Sequence, residues 1–342
     1  MNLKELSENL GLSQTTVSRA LNGYPEVSES TRNRVMTAAK THGYRPNTRA
    51  KGLATGRSLA IGHILPMSAK HEMVNPIFGD FIAGAGEVYS RHGYDMVLTI
   101  VEDGREGKAY EDLKAKGTID GFMVHAPKRD EDRIPLLKSL GLPFVVHGRA
   151  SDAEKPYWWV DVNNAHAFGR ATELLCDLNH RRIALINGLE TMDFAQRRRE
   201  GYRNALRKRG LPEDPALMAS DEMTESWGYT ETLRMRALED PPTAFLVSSI
   251  ISAIGVRRAL EDLGLKIGRD VSVITHDDAL SYFPNGTSPP MFTATQSSVR
   301  EAGRVCAELL IEQIQNPALT PKSKLLEAQL ILGASTGPAP SD

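Results

Sequence analysis

Apolar residues open the chain at helical spacing. Leu3, Leu6 and Leu10 recur three and four positions apart in LKELSENL, and Gly11 breaks the run. Ser13 stands where a second helix is capped, and QTTVSRALN places Val17, Ala20 and Leu21 on one face. A third helix is predicted from Ser30 to about His42, capped by Ser28 or Ser30, with Val35, Met36 and Ala39 inward and Gly43 ending it. The next stretch, YRPNTRAKGLATGRS, reads differently. Pro46 stops the preceding helix, Asn47 can cap a short one and Gly56 can end it. At about eight residues such a helix is too short to hold alone, and Gly52 weakens it further.

From Leu59 onward the period changes to short apolar runs alternating with amphipathic stretches. LAIGHIL, DMVLTIV, IDGFMVH and PFVVHG read as buried strands, separated by helices near 79–92, 106–116 and 131–140. RRIALIN, TAFLVSS and DVSVITH repeat the order, with helices near 196–210, 226–239 and 250–263. Strands alternating with helices imply parallel sheets, so two such runs in tandem predict an α/β body of two doubly wound lobes. The segment after Met291, a helix near 298–315 and the strand KLLEAQLIL, is expected to complete both. The expected division is a helical head over 1–45, a hinge over 46–57 and a body over 58–342. Within the body, lobe 1 takes about 58–160 and 291–322, and lobe 2 about 161–290 and 323–338. Ligands bind beyond the carboxyl ends of such strands, which puts the natural site in the cleft between lobes.

Composition narrows the class. The 342 residues are 41% hydrophobic and 25% charged, an ordinary globular balance without an apolar run long enough to span a membrane. Lys4, Glu5 and Glu8 occupy the start, where a secretory signal needs an apolar core, so a cytoplasmic protein is expected. Cys176 and Cys306 are too few for a disulfide framework or a zinc cluster. Residues 1–57 carry nine Lys or Arg against four Glu, a net of +5, which leaves −7 on the remainder of a chain of net −2. A basic head on an acidic body is the asymmetry of a segment that meets nucleic acid. No GxSxG, P-loop, CxxC or HExxH pattern occurs, and His276-Asp277-Asp278 reads as strand-end structure, so neither catalysis, a cofactor nor a metal is expected.

The head carries the candidate chemistry. Thr15, Arg19 and Asn22 lie opposite the Val17 stripe, Ser18 is beside them and Gln14 sits at the helix tip. Such side chains read base edges or hold phosphates when the second helix of a helix-turn-helix docks in the major groove. A three-helix protein-interaction module is the alternative for the head, and a flexible tether is the alternative for the hinge.

The run GLSQTTVSRALNGYPEVSESTRNRVMTAAKTHGYRPNTRAKGLATGRS resembles the N-terminal signature of the LacI/GalR family of bacterial transcription regulators, and the likeness continues to the C-terminus. Ser7 departs from the alanine usual there. The resemblance implies that Gln14, Thr15 and Arg19 read bases, with Ser13, Thr16 and Ser18 on phosphates. It implies that hinge segments pair across a homodimer, with Ala50 and Leu53 as the minor-groove wedge on a pseudo-palindromic double-stranded DNA operator. The body then resembles a periplasmic sugar-binding fold. By the same likeness Arg198 clamps sugar hydroxyls, Asp277 accepts from them, and His125 and Gly148-Arg149 stand where further ligand contacts fall. Sugar sites combine bidentate charged groups with stacked aromatics, and Phe78, Trp158, Trp159 and Tyr282 are candidate stackers. Trp158 and Trp159 cannot face the same way in a strand, so one packs.

Departures from the pattern bear on the effector. Ser249-Ile250 replaces the family's Asn-Asp after the third strand of lobe 2, Gly148-Arg149 replaces Asp-Arg, and Met223 stands in place of an aromatic floor, with Trp227 near. NPIFGDFIAGAGEVYSRHGYD and PFVVHGR are similar to members that answer to oligosaccharides such as α-glucosides. The expectation is a repressor of a carbohydrate-utilisation operon whose small-molecule effector is a mono- or oligosaccharide. A nucleobase effector, or a stand-alone solute-binding protein without a DNA role, is the alternative.

Overall fold

The computed structural model describes residues 1–21, 23–44, 57–66, 75–154, 156–286 and 288–340. The chain divides into two compact units, of which residues 1–59 form most of the first and residues 60–116 and 120–342 the second.

The first unit is three helices. α1 (Leu3–Leu10) opens with a reciprocal capping box: Glu5 N donates to Asn2 Oδ1 at 3.0 Å, and Asn2 N donates to Glu5 Oε2 at 2.9 Å. Gly11 ends it in the left-handed conformation, φ +62°, which costs a glycine nothing. Ser13 Oγ accepts from Thr16 N at 3.0 Å and so caps α2 (Gln14–Leu21), while Ser28 rather than Ser30 caps α3 (Glu29–Thr41). Leu6, Val17, Ala20, Val27, Val35 and Ala39 close the core. Met36 corrects the expectation that it points inward: it is 53% exposed, because Val35 and Ala39, four residues apart, define the buried face and Met36 is a turn-quarter away. Ser7 is buried at the α1–α2 contact, yet its hydroxyl donates to Lys4 O at 2.7 Å, so the departure from alanine leaves no polar atom unmatched. The expected hinge helix, with Asn47, Ala50 and Leu53, lies outside the described residues, as does Asn22.

The second unit contains two six-stranded sheets. The first is wholly parallel and collects β1 (Ala60–Pro66), β2 (Asp95–Val101), β3 (Gly121–Val124), β4 (Phe144–His147), β5 (Trp159–Val162) and β11 (Ser323–Leu326). Its order is β11-β5-β4-β3-β1-β2. The second holds β6 (Ile183–Asn187), β7 (Met218–Ser220), β8 (Ala244–Val247), β9 (Ser272–Asp277), β10 (Thr293–Gln296) and β12 (Gln329–Ile331) in the order β12-β10-β9-β8-β6-β7, with only β12 antiparallel. Helices α4 (Pro76–His92), α5 (Glu106–Lys116), α6 (Arg133–Leu140) and α11 (Val299–Gln315) belong to the first lobe. Helices α7 (Asn164–Asp177), α8 (Asp193–Lys208), α9 (Glu225–Arg236) and α10 (Ile250–Asp262) belong to the second.

The chain changes lobe three times, after β5, after β10 and between β11 and β12. This corrects two lobe boundaries. Residues 293–296, expected in lobe 1, are a strand of the second sheet, and 323–326, expected in lobe 2, are a strand of the first. KLLEAQLIL is therefore two strands rather than one, broken where it passes between sheets. The α4–α11 pair closes at Gly84 and Gly303, where an added Cβ would strike the Arg300 and Phe81 carbonyls, and α7–α8 closes the same way at Gly201 on Ala165. These contacts fix the spacing of helices whose first turns face the cleft.

Candidate functional site

In the head, Gln14, Thr15 and Arg19 are exposed along one side of α2, while Val17 and Ala20 on the opposite side are fully buried. Thr16 and Ser18 are half-buried beside them, and the Ser13 and Thr16 hydroxyls lie 2.8 Å apart at the helix start. The α2 N-terminus thus presents polar side chains together with unmatched backbone N–H groups, a combination suited to phosphate. Arg34 donates to the Leu10 carbonyl and Arg32 to the Tyr24 carbonyl, so these two cations brace the head.

In the body, a cavity of about 180 Å³ opens between the carboxyl ends of both sheets. The α4 start supplies Ile77, Phe78 and Phe81. The ends of β3 and β4 supply His125, His147, Gly148 and Arg149, and the end of β5 supplies Asp161 and Asn164. Phe194 and Arg198 of α8, Met223, His276 and Asp278 close it from the second lobe. Phe78, His125, Arg149 and Arg198, singled out from sequence, all line it. Trp158, Trp159, Ser249, Asp277 and Tyr282 do not.

Asp277 is buried, but its carboxylate accepts from Ala279 N at 2.8 Å and from Gln296 Nε2 at 2.9 Å, holding the loop after β9. Asp278, the next residue, lines the cavity instead, because successive side chains at a strand end point to opposite sides. Ser249 caps α10 through Ile251 N at 3.2 Å and is fully buried, and the neighbouring Ser248 carbonyl accepts from Arg198. Trp159 lies outside the cavity with the Arg149 guanidinium 4.9 Å above its ring, while Trp158 packs in the core. Tyr282 is almost wholly exposed on the surface. Among residues sequence reasoning did not assign, Phe194, Asn164 and Asp161 line the cavity; Phe194 and Asn164 flank Arg198 at helical and strand-end positions. The short strand WVDV carries Asp161 and leads into Asn164, while Phe194 stands in α8 four residues before Arg198.

Arg198 is the best-anchored cation. Its Nε donates to Asn164 Oδ1 at 2.8 Å and one terminal nitrogen to Ser248 O at 2.6 Å, with Phe168 and Phe194 rings 5.0 and 4.9 Å from the guanidinium carbon. Burial lowers its pKa to about 10, opposed by Asp278 and Asp161, so it stays charged at neutral pH. Asp278 is its counterpart. Burial acts to raise the Asp278 pKa, but His276, Arg198 and His147 outweigh it, so the carboxyl lies below its usual range and is ionised. His276 places Nε2 3.5 Å from Asp278, too long for a hydrogen bond, and that nitrogen is left unmatched although the ring is buried. Burial pushes the His147 pKa down to about 4, so this ring, stacked on Phe81 at 4.3 Å, is neutral. Arg149 is neutralised by Asp161 at 2.8 Å. Among the described residues, one cation and one anion thus face the cavity beside the Arg149–Asp161 ion pair, and the rest of its lining is aromatic or uncharged. Among the described residues no group of three or more His, Cys, Asp or Glu could hold a metal ion.

The two lobes are clasped at both rims. Ser281 donates to Asp80 through its backbone N at 2.8 Å and its hydroxyl at 2.6 Å. On the other side Arg197 of α8 donates to Asp161 at 2.5 Å and Ser151 at 3.1 Å, and Asp193 N donates to Pro127 O at 3.0 Å.

Residues 2–47 match the bacterial regulatory proteins of the lacI family, and residues 172–336 match the periplasmic binding protein-like domain. The HTH-type transcriptional regulator AglR of Rhizobium meliloti is 45% identical over 341 residues, covering 99% of this chain and 95% of that protein. The regulator CelR of Thermobifida fusca is 29% identical, with 95% of each covered. Among solved structures, the lac repressor dimer bound to operator and the anti-inducer ONPF is 26% identical with a TM-score of 0.82, covering 98% of this chain and 99% of that one. A CelR–cellobiose complex is 27% identical with a TM-score of 0.72, covering 97% and 99%. Among the described residues no helix is long and apolar enough to cross a membrane. With head, body and near full-length relatives in agreement, the chain belongs to the lacI family of bacterial transcription regulators.

Proposed function

We propose that this regulator is a repressor, working as a homodimer in the cytoplasm, whose hold on a pseudo-palindromic operator is set by an uncharged sugar in the cleft. The observation that carries the effector class is the balance of the cavity. Buried Arg198 and ionised Asp278 cancel, and Phe78 and Phe194 supply apolar faces for a ring of hydroxyls. A phosphorylated sugar would bring about two negative charges against Arg198, the one lining cation among the described residues that no carboxylate pairs, which disfavours it. Gln14, Thr15 and Arg19 read bases, Ser13, Thr16 and Ser18 hold phosphates, and Asn22 and the 46–57 hinge with Asn47, Ala50 and Leu53 complete the contact. Sugar shifts the balance between two lobe orientations, and the size of the response equals its differential affinity for them. The CelR–cellobiose complex and the lac repressor with its anti-inducer support a saccharide over a nucleobase.

A thermal-shift scan of the full chain against mono- and disaccharides, with glucose 6-phosphate as the charged control, tests this reading. A ligand at 100 times its Kd adds about 2.7 kcal/mol, a shift of several degrees at roughly 2–4 °C per kcal/mol. A shift with an uncharged sugar and none with the phosphate is expected. The reverse result refutes the effector class.

A further inference from the structure

Behind the cavity wall His125 continues into two buried groups, His63 and Tyr89, that no part of the scheme above uses. His125, which lines the cavity, places Nε2 2.9 Å from Nδ1 of His63, and His63 places its own Nε2 3.2 Å from the Tyr89 hydroxyl. His63 and Tyr89 are essentially unexposed. Burial holds both imidazoles neutral, His63 down to about 3 and His125 well below its ordinary value, where His63, His147 and Arg133 also disfavour a proton. A neutral imidazole has a single N–H, so each of the two links carries one proton and both links must run in the same direction.

Two arrangements satisfy that count. In one, His125 donates from Nε2, His63 accepts at Nδ1 and donates from its Nε2 to the phenol oxygen. The Tyr89 O–H then has no acceptor, since His63 is the hydroxyl's one hydrogen-bond partner among the described residues. A buried donor left unmade disfavours this arrangement by about tenfold or more. In the other, Tyr89 O–H donates to His63 Nε2 and His63 Nδ1–H donates to His125 Nε2, so both donors behind the cavity wall are used. His125 is then protonated at Nδ1, and no protein atom among the described residues accepts that hydrogen. The edge-on rings of Phe78 and Phe81, 5.3 and 5.0 Å away, keep the imidazole from turning.

We propose that Tyr89 and His63 act as positioning residues that fix the tautomer of His125, so that the cavity offers an N–H donor there and selects a ligand presenting an acceptor oxygen at that point. The ligand half of this inference rests on the effector reading above; the tautomer half does not.

The test begins without ligand. Histidine tautomers of the full chain, labelled with nitrogen-15 histidine, are read by long-range proton–nitrogen correlation, with His63→Gln and His125→Gln assigning the signals. His63 and His125 are expected to be single Nδ1-protonated species that do not titrate between about pH 5 and 8. Tyr89→Phe keeps the shape but removes the proton that sets the direction, and His125 should become a mixture of tautomers. An Nε2-protonated His125 in the unsubstituted protein overturns the proposal; so does a His125 signal indifferent to Tyr89→Phe. If Tyr89→Phe fails to fold, the first measurement alone decides. Calorimetry with glucose, galactose, maltose and cellobiose then follows. His125→Leu should bind any sugar that the unsubstituted chain binds about tenfold more weakly, and Tyr89→Phe about twofold more weakly, in proportion to the fraction still in the donating form. Equal affinities for the unsubstituted protein and His125→Leu overturn the ligand half. If the tautomers are as expected and none of the four sugars binds, the effector reading fails while the relay stands.

Discussion

At the scale of single residues, the two functions depend on opposite kinds of side chain. Arg19 is exposed and makes no ion pair among the described residues, so its contribution is realised only against a partner. Arg19→Ala should relax base preference at one step in each half-site, about 1–3 kcal/mol of discrimination, without lowering the melting point. Affinities for a set of single-base operator variants that keep their ranking would refute the assignment. Arg198 is the converse, fixed before any ligand arrives by Asn164, the Ser248 carbonyl and two aromatic faces. Arg198→Ala should weaken sugar binding at least about tenfold and also lower stability by about 1–3 kcal/mol, because it strands the Ser248 carbonyl. Sugar titration and urea unfolding measured on the same variant separate the two effects; unchanged sugar affinity would show that this arginine is structural. Arg198 was legible only through the family likeness, since nothing in the run Arg197-Arg198-Arg199 itself says which of the three turns into the cleft. The likeness misplaced the carboxylate by one residue, because adjacent Asp277 and Asp278 are chemically alike and only the exact end of β9 decides which one turns inward.

Elements were legible where one face is buried and the other wet. The three head helices, with their serine caps and Gly11 stop, follow directly from spacing and capping chemistry, and the four-sided burial of β3, β6 and β8 shows as unbroken apolar runs. What escaped was short or at an edge. β7 has three residues and β11 is mostly exposed, so neither carries a pattern, and KLLEAQLIL looks continuous although its halves join different sheets. α7 begins immediately after β5, with no glycine or proline between them to announce the change. Helix pairing was not legible at all, since nothing in the sequence says that Gly303 meets Phe81. It is nevertheless the tightest constraint on the first lobe. Gly303→Val should push α11 from α4 and destabilise the body by several kcal/mol, on the order of the overpacking costs seen in cores, whereas Gly86→Ala on α4, with only the Met96 side chain near, should be neutral or slightly stabilising. Equal melting points for the two variants would contradict this picture of the contact.

The whole molecule places an unusual number of neutral histidines in its interior, and this gives it a pH dependence that can be worked out in sign. Burial holds His63 down to about 3 and His147 down to about 4, and lowers His125, His180 and His276 as well. A base whose folded pKa is depressed binds its proton more readily in the unfolded chain, whose histidines titrate near about 6.5. Stability is therefore fully present above that value and falls as the pH drops through it, continuing to fall until the folded pKa values are reached. Each such histidine costs roughly 1.4 kcal/mol per pH unit in that window. The depressed carboxylates, Asp270 at about 2 among them, contribute nothing there, because they remain ionised in both states until the pH approaches about 4. Urea unfolding of the full chain at pH 7.5 and 5.5 should show the midpoint falling steeply over a range where pairs of carboxylates with Lys or Arg are unchanged. A midpoint that is flat over this interval would mean that the interior histidines are already protonated in the folded state. The direction also bears on the switch: His63, His125 and His147 stay neutral in the folded chain over this interval, so acid acts through the unfolded chain and leaves the cavity wall they form unchanged. Sugar affinity of the folded chain should accordingly be equal at pH 7.5 and 5.5 while the urea midpoint falls; an affinity that drops over that interval would show that a wall histidine titrates in the folded state.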